Sequence, residues 1–337
     1  MTLMAMEIDQ SGAAVANCLE RNDFRALGER LRALDPAVVV TNARGSSDHC
    51  ALYLKYALEI VVGLPCASIG PSIASLYHAP LKLPRALAVS ISQSGQSPDI
   101  VAAQAAAKAG GALTLALVND VASPLAQNAE VLLALAAGEE ISVAATKSMI
   151  AALAASAALV AAWGQDEALA QAVQNLPRAL APTRAPRAQL VDAIVEAQSA
   201  FVLGRGPTYA MAAEAALKLK ETCGLHAEAF SSAEVMHGPA EIVRPGFLIV
   251  GFPPLDEGRQ GFAAALAHFA DLGARVIVVE AGAKDGSHRL GAADAGHPLL
   301  APVTMIHRFY SLCDASARAL GRNPDLPRNL TKVTETR

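Results

Sequence analysis

Apolar, β-branched runs ending in Gly or Ser alternate along the chain with Ala-rich stretches of helical character. That alternation predicts a parallel α/β sheet. In the first half, strands are expected at residues 37–42, 65–69, 86–92, 113–118 and 130–136. Residues 98–110 combine helix-favouring Ala with a Gly stop and predict the crossover helix after the third strand. The pattern then begins again, with strands expected near residues 200–204, 227–230, 246–252, 274–280 and 298–302. Two copies of one α/β plan are therefore expected in tandem. Pro177, Pro182 and Pro186 break helical periodicity, so residues 175–189 predict a linker. It would join a first domain with an N-terminal helix, residues 1–174, to a second of residues 190–320, leaving 321–337 as a tail.

Composition supports two domains, because 337 residues exceed what a single core usually organises. The chain is 53% hydrophobic but only 4% aromatic, and Ala supplies much of the difference, so closely packed helices are expected. The most apolar segment, residues 149–163, is too short and too rich in Ala to predict a membrane span. Residues 1–10 carry Glu7 and Asp9 and lack the basic start and apolar block of a secretory signal, so the cytoplasm is the expected compartment. Cys18, Cys50, Cys66, Cys223 and Cys313 are odd in number and widely spaced, suggesting neither a disulfide framework nor a zinc site. A formal charge of −4 without a basic run argues against nucleic acid and for a small-molecule ligand.

Ligands of open α/β sheets bind outside the carboxyl ends of the strands, where helix N-termini present backbone N–H groups. After the third expected strand comes Ser92-Gln93-Ser94-Gly95-Gln96-Ser97-Pro98, with Pro98 pre-organising the first helical turn. Hydroxyls, a Gly that admits close backbone approach and the positive end of a helix make an anion cradle. An ordinary strand-to-helix turn uses the same residue types; the position within the repeat singles this one out. After the first strand, Ala43-Arg44-Gly45-Ser46-Ser47 is again small and hydroxyl-bearing and leaves from the same sheet edge.

In the second half, Glu214, Lys218 and Glu221 fall at i, i+4 and i+7 of a helix expected to end at Gly224. Spacing alone does not choose between a solvated ion-pair ladder and a functional cluster. His226, Glu228, Glu234 and His237 crowd together, but across a strand and a loop and in no metal-ligand spacing. Gly204-Arg205-Gly206 has Tyr209 where a dinucleotide fingerprint needs its third Gly.

Taken in order, Ala43 to Ser47, Ser92 to Gly95, Glu140 to Lys147, Leu203 to Gly206, Ala216 to Glu221, His226 to Phe230, His237-Gly238-Pro239 and Leu330 to Glu335 resemble the sugar isomerase (SIS) domain pair of glucosamine-6-phosphate synthase. The resemblance implies an α/β fold of two tandem SIS domains, each a five-stranded parallel sheet flanked by helices, a flavodoxin-like three-layer sandwich. It implies that Gly45, Ser46, Ser47, Ser92, Gln93, Ser94, Ser97, Val143, Ala144 and Lys218 bind the substrate and its phosphate. Glu221 matches the carboxylate that moves a proton between C1 and C2, His237 the residue that opens the pyranose ring, and Lys332 a tail lysine beside the sugar carbonyl. In the family that histidine can come from the partner subunit, which implies a homodimer with a shared active site. No metal or organic cofactor is called for. Synthases open with a glutaminase domain whose nucleophilic Cys follows the initiator Met, whereas Thr2 follows Met1 here. The expectation is therefore a shorter two-SIS enzyme, first a glucosamine-6-phosphate deaminase forming fructose 6-phosphate and ammonia. Alternatives are a galactosamine-6-phosphate deaminase/isomerase and a fructosamine-6-phosphate deglycase. A regulatory SIS protein that only binds a sugar phosphate is the alternative of another class. It would need the cradle but not Glu221, His237 or Lys332, and the residues before the first strand hold no helix-turn-helix or basic patch.

Overall fold

The computed structural model describes residues 1–332; the end of the expected tail, residues 333–337, lies outside the described residues. The chain divides into two compact units. Of the described residues, the first comprises Ala13–Glu140, Lys147–Gln174 and Thr331 with Lys332; the second comprises Met1–Gly12, Ile141–Thr146 and Asn175–Leu330.

The sheet of the first unit is built from β1 (Val38–Asn42), β2 (Cys66–Ser68), β3 (Ala86–Ser92), β4 (Leu113–Val118) and β5 (Val131–Ala134). Its order is β2-β1-β3-β4-β5, with every neighbouring pair parallel. The sheet of the second unit holds β6 (Ser199–Gly204), β7 (His226–Ser231), β8 (Leu248–Gly251), β9 (Arg275–Ala281) and β10 (Arg289–Ala292) in the order β10-β9-β8-β6-β7, again all parallel. Numbered within its own unit, each sheet reads 2-1-3-4-5. The direction of winding reverses between the first and third strands, the crevice where doubly wound folds bind ligands. In the first unit Asn42 at the end of β1 stands beside Ser90 of β3, so the loops leaving both strands emerge at that crevice.

Local sequence explains these elements. Six of the seven residues of β3 are buried in an unbroken run, as a parallel strand covered on both faces requires. Helix Lys147–Gly164 is apolar all round and long enough to cross a membrane by length and composition alone. It is a core helix, 89% buried, packed against helices Phe24–Leu34 and Ser46–Val61. Ala at eight of its 18 positions lets those helices approach closely. Arg32 closes its end by donating to the carbonyls of Ala162 and Trp163.

Three expectations need correction. The fifth strand of the second copy is Arg289–Ala292, not residues 298–302. There His297 accepts a hydrogen bond from Leu299 N and Pro298 opens a 3₁₀ turn leading directly into helix Ala301–Ala319, so the apolar run is a buried helix start. Residues 175–179 are the end of helix Glu167–Ala179, which carries Pro177 inside it, so the extended connection is shorter than 175–189. Finally, Met1–Gly12 belongs to the second unit. Met4 and Ile8 are fully buried there, and the Nε2 of His307 lies 3.1 Å from the Ile8 carbonyl.

Candidate functional site

In the first unit, Gly45 caps helix Ser46–Val61 with φ 55° and ψ −133°, placing Ser46 and Ser47 in its first turn. Gly206 caps helix Pro207–Lys218 of the second unit with φ 55° and ψ −134°, the same geometry at the equivalent strand end. Following β3, the Gly95 N–H donates to the Ser92 hydroxyl over 2.9 Å and the Gln96 N–H to Ser94 over 3.3 Å. Gly95 lies at φ 64°, and a Cβ there would fall 2.1 Å from the Ser123 hydroxyl oxygen. Only Gly lets this loop lie against the next turn, to which the Gln93 carbonyl and Gln96 amide also bond through Asp120. Ser97 is the N-cap residue of helix Pro98–Ala109.

Two contacts lock these loops together. The Asn42 amide donates to the Ile100 carbonyl over 2.9 Å, and the Arg44 guanidinium binds the buried Asp99 carboxylate through two nitrogens at 2.9 and 3.1 Å. Gly45, Ser46, Ser47, Ser92, Gln93, Ser94 and Ser97 thus gather at one edge of one sheet. Arg44, half-exposed beside them, was not among the expected binding residues. Its signal was present in the same motif. Hydroxyls, helix N-termini and one half-neutralised guanidinium can hold a phosphate.

Glu140, whose side chain is fully buried, accepts from the Ser148 N–H and hydroxyl at 3.1 and 2.6 Å and pairs with Lys332 Nζ at 3.2 Å. Lys332 is therefore held, with a quarter of its side chain exposed.

In the second unit, helix Pro207–Lys218 passes into a π-helical turn, Leu219–Cys223, that ends on left-handed Gly224. Turns of this kind recur at functional positions. Lys218 lies between two carboxylates: it contacts Glu221 directly, and Glu214 at 3.6 Å. Tyr310 donates its hydroxyl to Glu214 over 3.0 Å. Side-chain exposure rises from 0% at Glu214 and 1% at Lys218 to 18% at Glu221. The cluster is not a solvated ladder, and Glu221 is the member that reaches the surface, where it can exchange a proton. His237 is exposed at the end of a 3₁₀ turn whose Val235 is buried in the core beside Phe201 and Phe247. Val143 and Ala144 belong to Ile141–Thr146, where the Val143 N–H donates to the Asp325 carbonyl over 3.1 Å.

All five cysteines are free and buried. Burial pushes the Cys18 and Cys66 thiols up to about 12 and Cys223 to about 11, which leaves none of these three a thiolate nucleophile at neutral pH. Among the described residues no group of His, Cys, Asp and Glu is arranged to hold a metal ion.

The SIS domain model matches residues 37–162 and 193–317. A glutamine–fructose-6-phosphate aminotransferase (isomerizing) of Symbiobacterium thermophilum is 32% identical over 326 residues, covering 90% of this chain and 52% of that protein. The chain thus spans about half the length of the curated relatives it matches. Among solved structures, a protein assigned as a phosphosugar isomerase from Silicibacter pomeroyi DSS-3 superposes with a TM-score of 0.89 at 44% identity, over 96% of this chain and all of that one. The C-terminal domain of glucosamine-fructose-6-phosphate aminotransferase from Francisella tularensis superposes with a TM-score of 0.82 at 25% identity, over 97% and 98% of the two chains. The chain belongs to the SIS domain family, carries that domain in two tandem copies, and is homologous to the isomerase part of the aminotransferases.

Proposed function

We propose that the protein is a deaminating aldose–ketose isomerase that converts glucosamine 6-phosphate and water to fructose 6-phosphate and ammonia. The observation that carries the reading is the Glu214–Lys218–Glu221 cluster, because a protein that only binds a sugar phosphate has no use for a carboxylate led from the core to the surface. The loops around Gly45 to Ser47 and Ser92 to Ser97 hold the phosphate. His237 donates and removes the protons that open the ring. Glu221 takes the C2 proton of the open-chain amino aldehyde and returns it to C1, giving a 2-imine that water hydrolyses to the ketone and ammonia. Val143, Ala144 and Lys218 orient the sugar, and Lys332 polarises the carbonyl.

His237 stands exposed beside Met236 and close in sequence to Ile242, both exposed apolar side chains, which suits a residue that serves a partner subunit in a homodimer. Five buried free thiols suit the reducing cytoplasm. The test is ammonia release from glucosamine 6-phosphate, galactosamine 6-phosphate and a fructosamine 6-phosphate. Turnover of the first above the others is expected. No ammonia from any of them, with the sugar phosphates interconverting as aldose and ketose, would reject deamination.

A further inference from the structure

Glu7 was visible in the sequence only as an acidic residue near the N-terminus, yet its side chain is buried and fully engaged. It lies in the seven-residue helix Leu3–Asp9. One carboxylate oxygen accepts from the N–H groups of Ile141 and Ser142 at 2.5 and 3.3 Å, and the other accepts from the Ser142 hydroxyl. At the start of the same helix, the Asp325 carboxylate accepts from the N–H groups of Leu3 and Met4 at 3.0 and 2.8 Å. Asp325 also accepts, at its carbonyl, the Val143 N–H. The circuit is closed: Glu7 holds residues 141 and 142, Asp325 holds residue 143, and the helix joins Glu7 to Asp325.

A carboxylate that spends its acceptors on loop N–H groups fixes a backbone, and backbone position is what a substrate-contacting loop needs. We infer that Glu7 is a positioning residue, which through Ile141 and Ser142 sets the loop carrying Val143 and Ala144 for the substrate, with Asp325 as its second anchor. The kinetic part of this inference rests on the function proposed above. The structural part does not. Other contacts of the helix serve as controls, since the Asp9 carboxylate accepts from the Thr183 N–H over 2.9 Å, outside the loop.

The experiment compares Glu7→Gln, Ser142→Ala and Asp9→Asn in the full chain by amide hydrogen exchange and by kinetics with glucosamine 6-phosphate. Glu7→Gln is expected to speed exchange in peptides covering residues 141–146 and to lower kcat/KM by about 10- to 100-fold, the scale of a misplacement of about 1 Å. Ser142→Ala should do the same more mildly and non-additively with Glu7→Gln. Asp9→Asn should leave both readouts as in the wild type. Unchanged exchange at 141–146 in Glu7→Gln overturns the inference, as does an equal kinetic loss in Asp9→Asn. Should Glu7→Gln fail to fold, Ser142→Ala with wild-type exchange overturns it instead. Faster exchange in a protein whose wild type releases no ammonia upholds the clamp and rejects the deaminase.

Discussion

The Lys218 ammonium meets the Glu221 carboxylate directly across a π-helical turn while Glu214 holds it from the buried side at 3.6 Å. Of the three, Glu221 alone opens toward solvent, so it is the group through which the cluster can do acid–base work. Glu221→Gln should keep the fold and the affinity for sugar phosphate and lower kcat by about 10² to 10⁴. Solvent deuterium appearing at C1 of the product with a near-normal rate in this variant would remove Glu221 from the mechanism.

The same cluster predicts an asymmetry in stability. Lys218→Met leaves the Glu214 carboxylate buried without its cation and should cost about 3–5 kcal/mol. Adding Glu214→Gln, which keeps an acceptor for the Tyr310 hydroxyl, should restore most of that loss. Urea unfolding of the single and double variants measures the difference; equal destabilisation of both would contradict the pairing.

At the cradle, Gly95→Ala puts a methyl 2.1 Å from the Ser123 oxygen in a left-handed backbone, so the loop must move. Ser94→Ala and Ser47→Ala remove hydroxyls and leave the loop in place. All three should raise KM with little change in kcat, because a phosphate is held alike in ground and transition states. Gly95→Ala should be the worst, by roughly 10- to 100-fold, the weight of one to two hydrogen bonds to a charged group. A fall in kcat at constant KM would assign these residues elsewhere.

Lys332→Ala removes an ammonium from the buried Glu140 carboxylate, which keeps its two hydrogen bonds from Ser148. Turnover of glucosamine 6-phosphate should collapse, while the melting temperature should fall less than in Lys218→Met, since Lys332 is a quarter exposed and Lys218 is fully buried. Wild-type kcat in this variant would make the tail lysine a bystander.

Acid stability should report on His307. Burial holds its pKa near 4, against 6.5 for a free imidazole. Below pH 6.5 the unfolded chain takes up a proton that the folded one refuses, so stability is complete above that value and is lost as pH falls toward 4. The loss amounts to about 3 kcal/mol. His307→Gln, which can still donate to the Ile8 carbonyl, should flatten the stability curve between pH 6.5 and 4; an unchanged slope would place the acid sensitivity elsewhere.

The readable parts of the chain were those where side-chain pattern and backbone demand coincide. β3 and β4 fall at the expected residues because long β-branched and apolar runs have few other uses. β10 escaped notice because Gly291 and Ala292 leave Leu290 as its one large apolar residue. The cradle was legible since hydroxyls and Gly are needed there by type. Glu7 and Asp325 were not, for they act on backbone N–H groups, which any sequence supplies. Lys218 could be placed on a face but not judged, because the burial of its partner Glu214 involves Tyr310, which lies 96 positions beyond that glutamate and donates to it.

Gly45 and Gly206 share one backbone conformation, yet Ser46 follows the first and Pro207 the second. A hydroxyl-bearing helix start in one copy is thus a donor-poor one in the other, on identical pedestals. The second copy presents one backbone N–H fewer at that spot, and its buried ammonium lies at the far end of the same helix, where Lys218 meets Glu221.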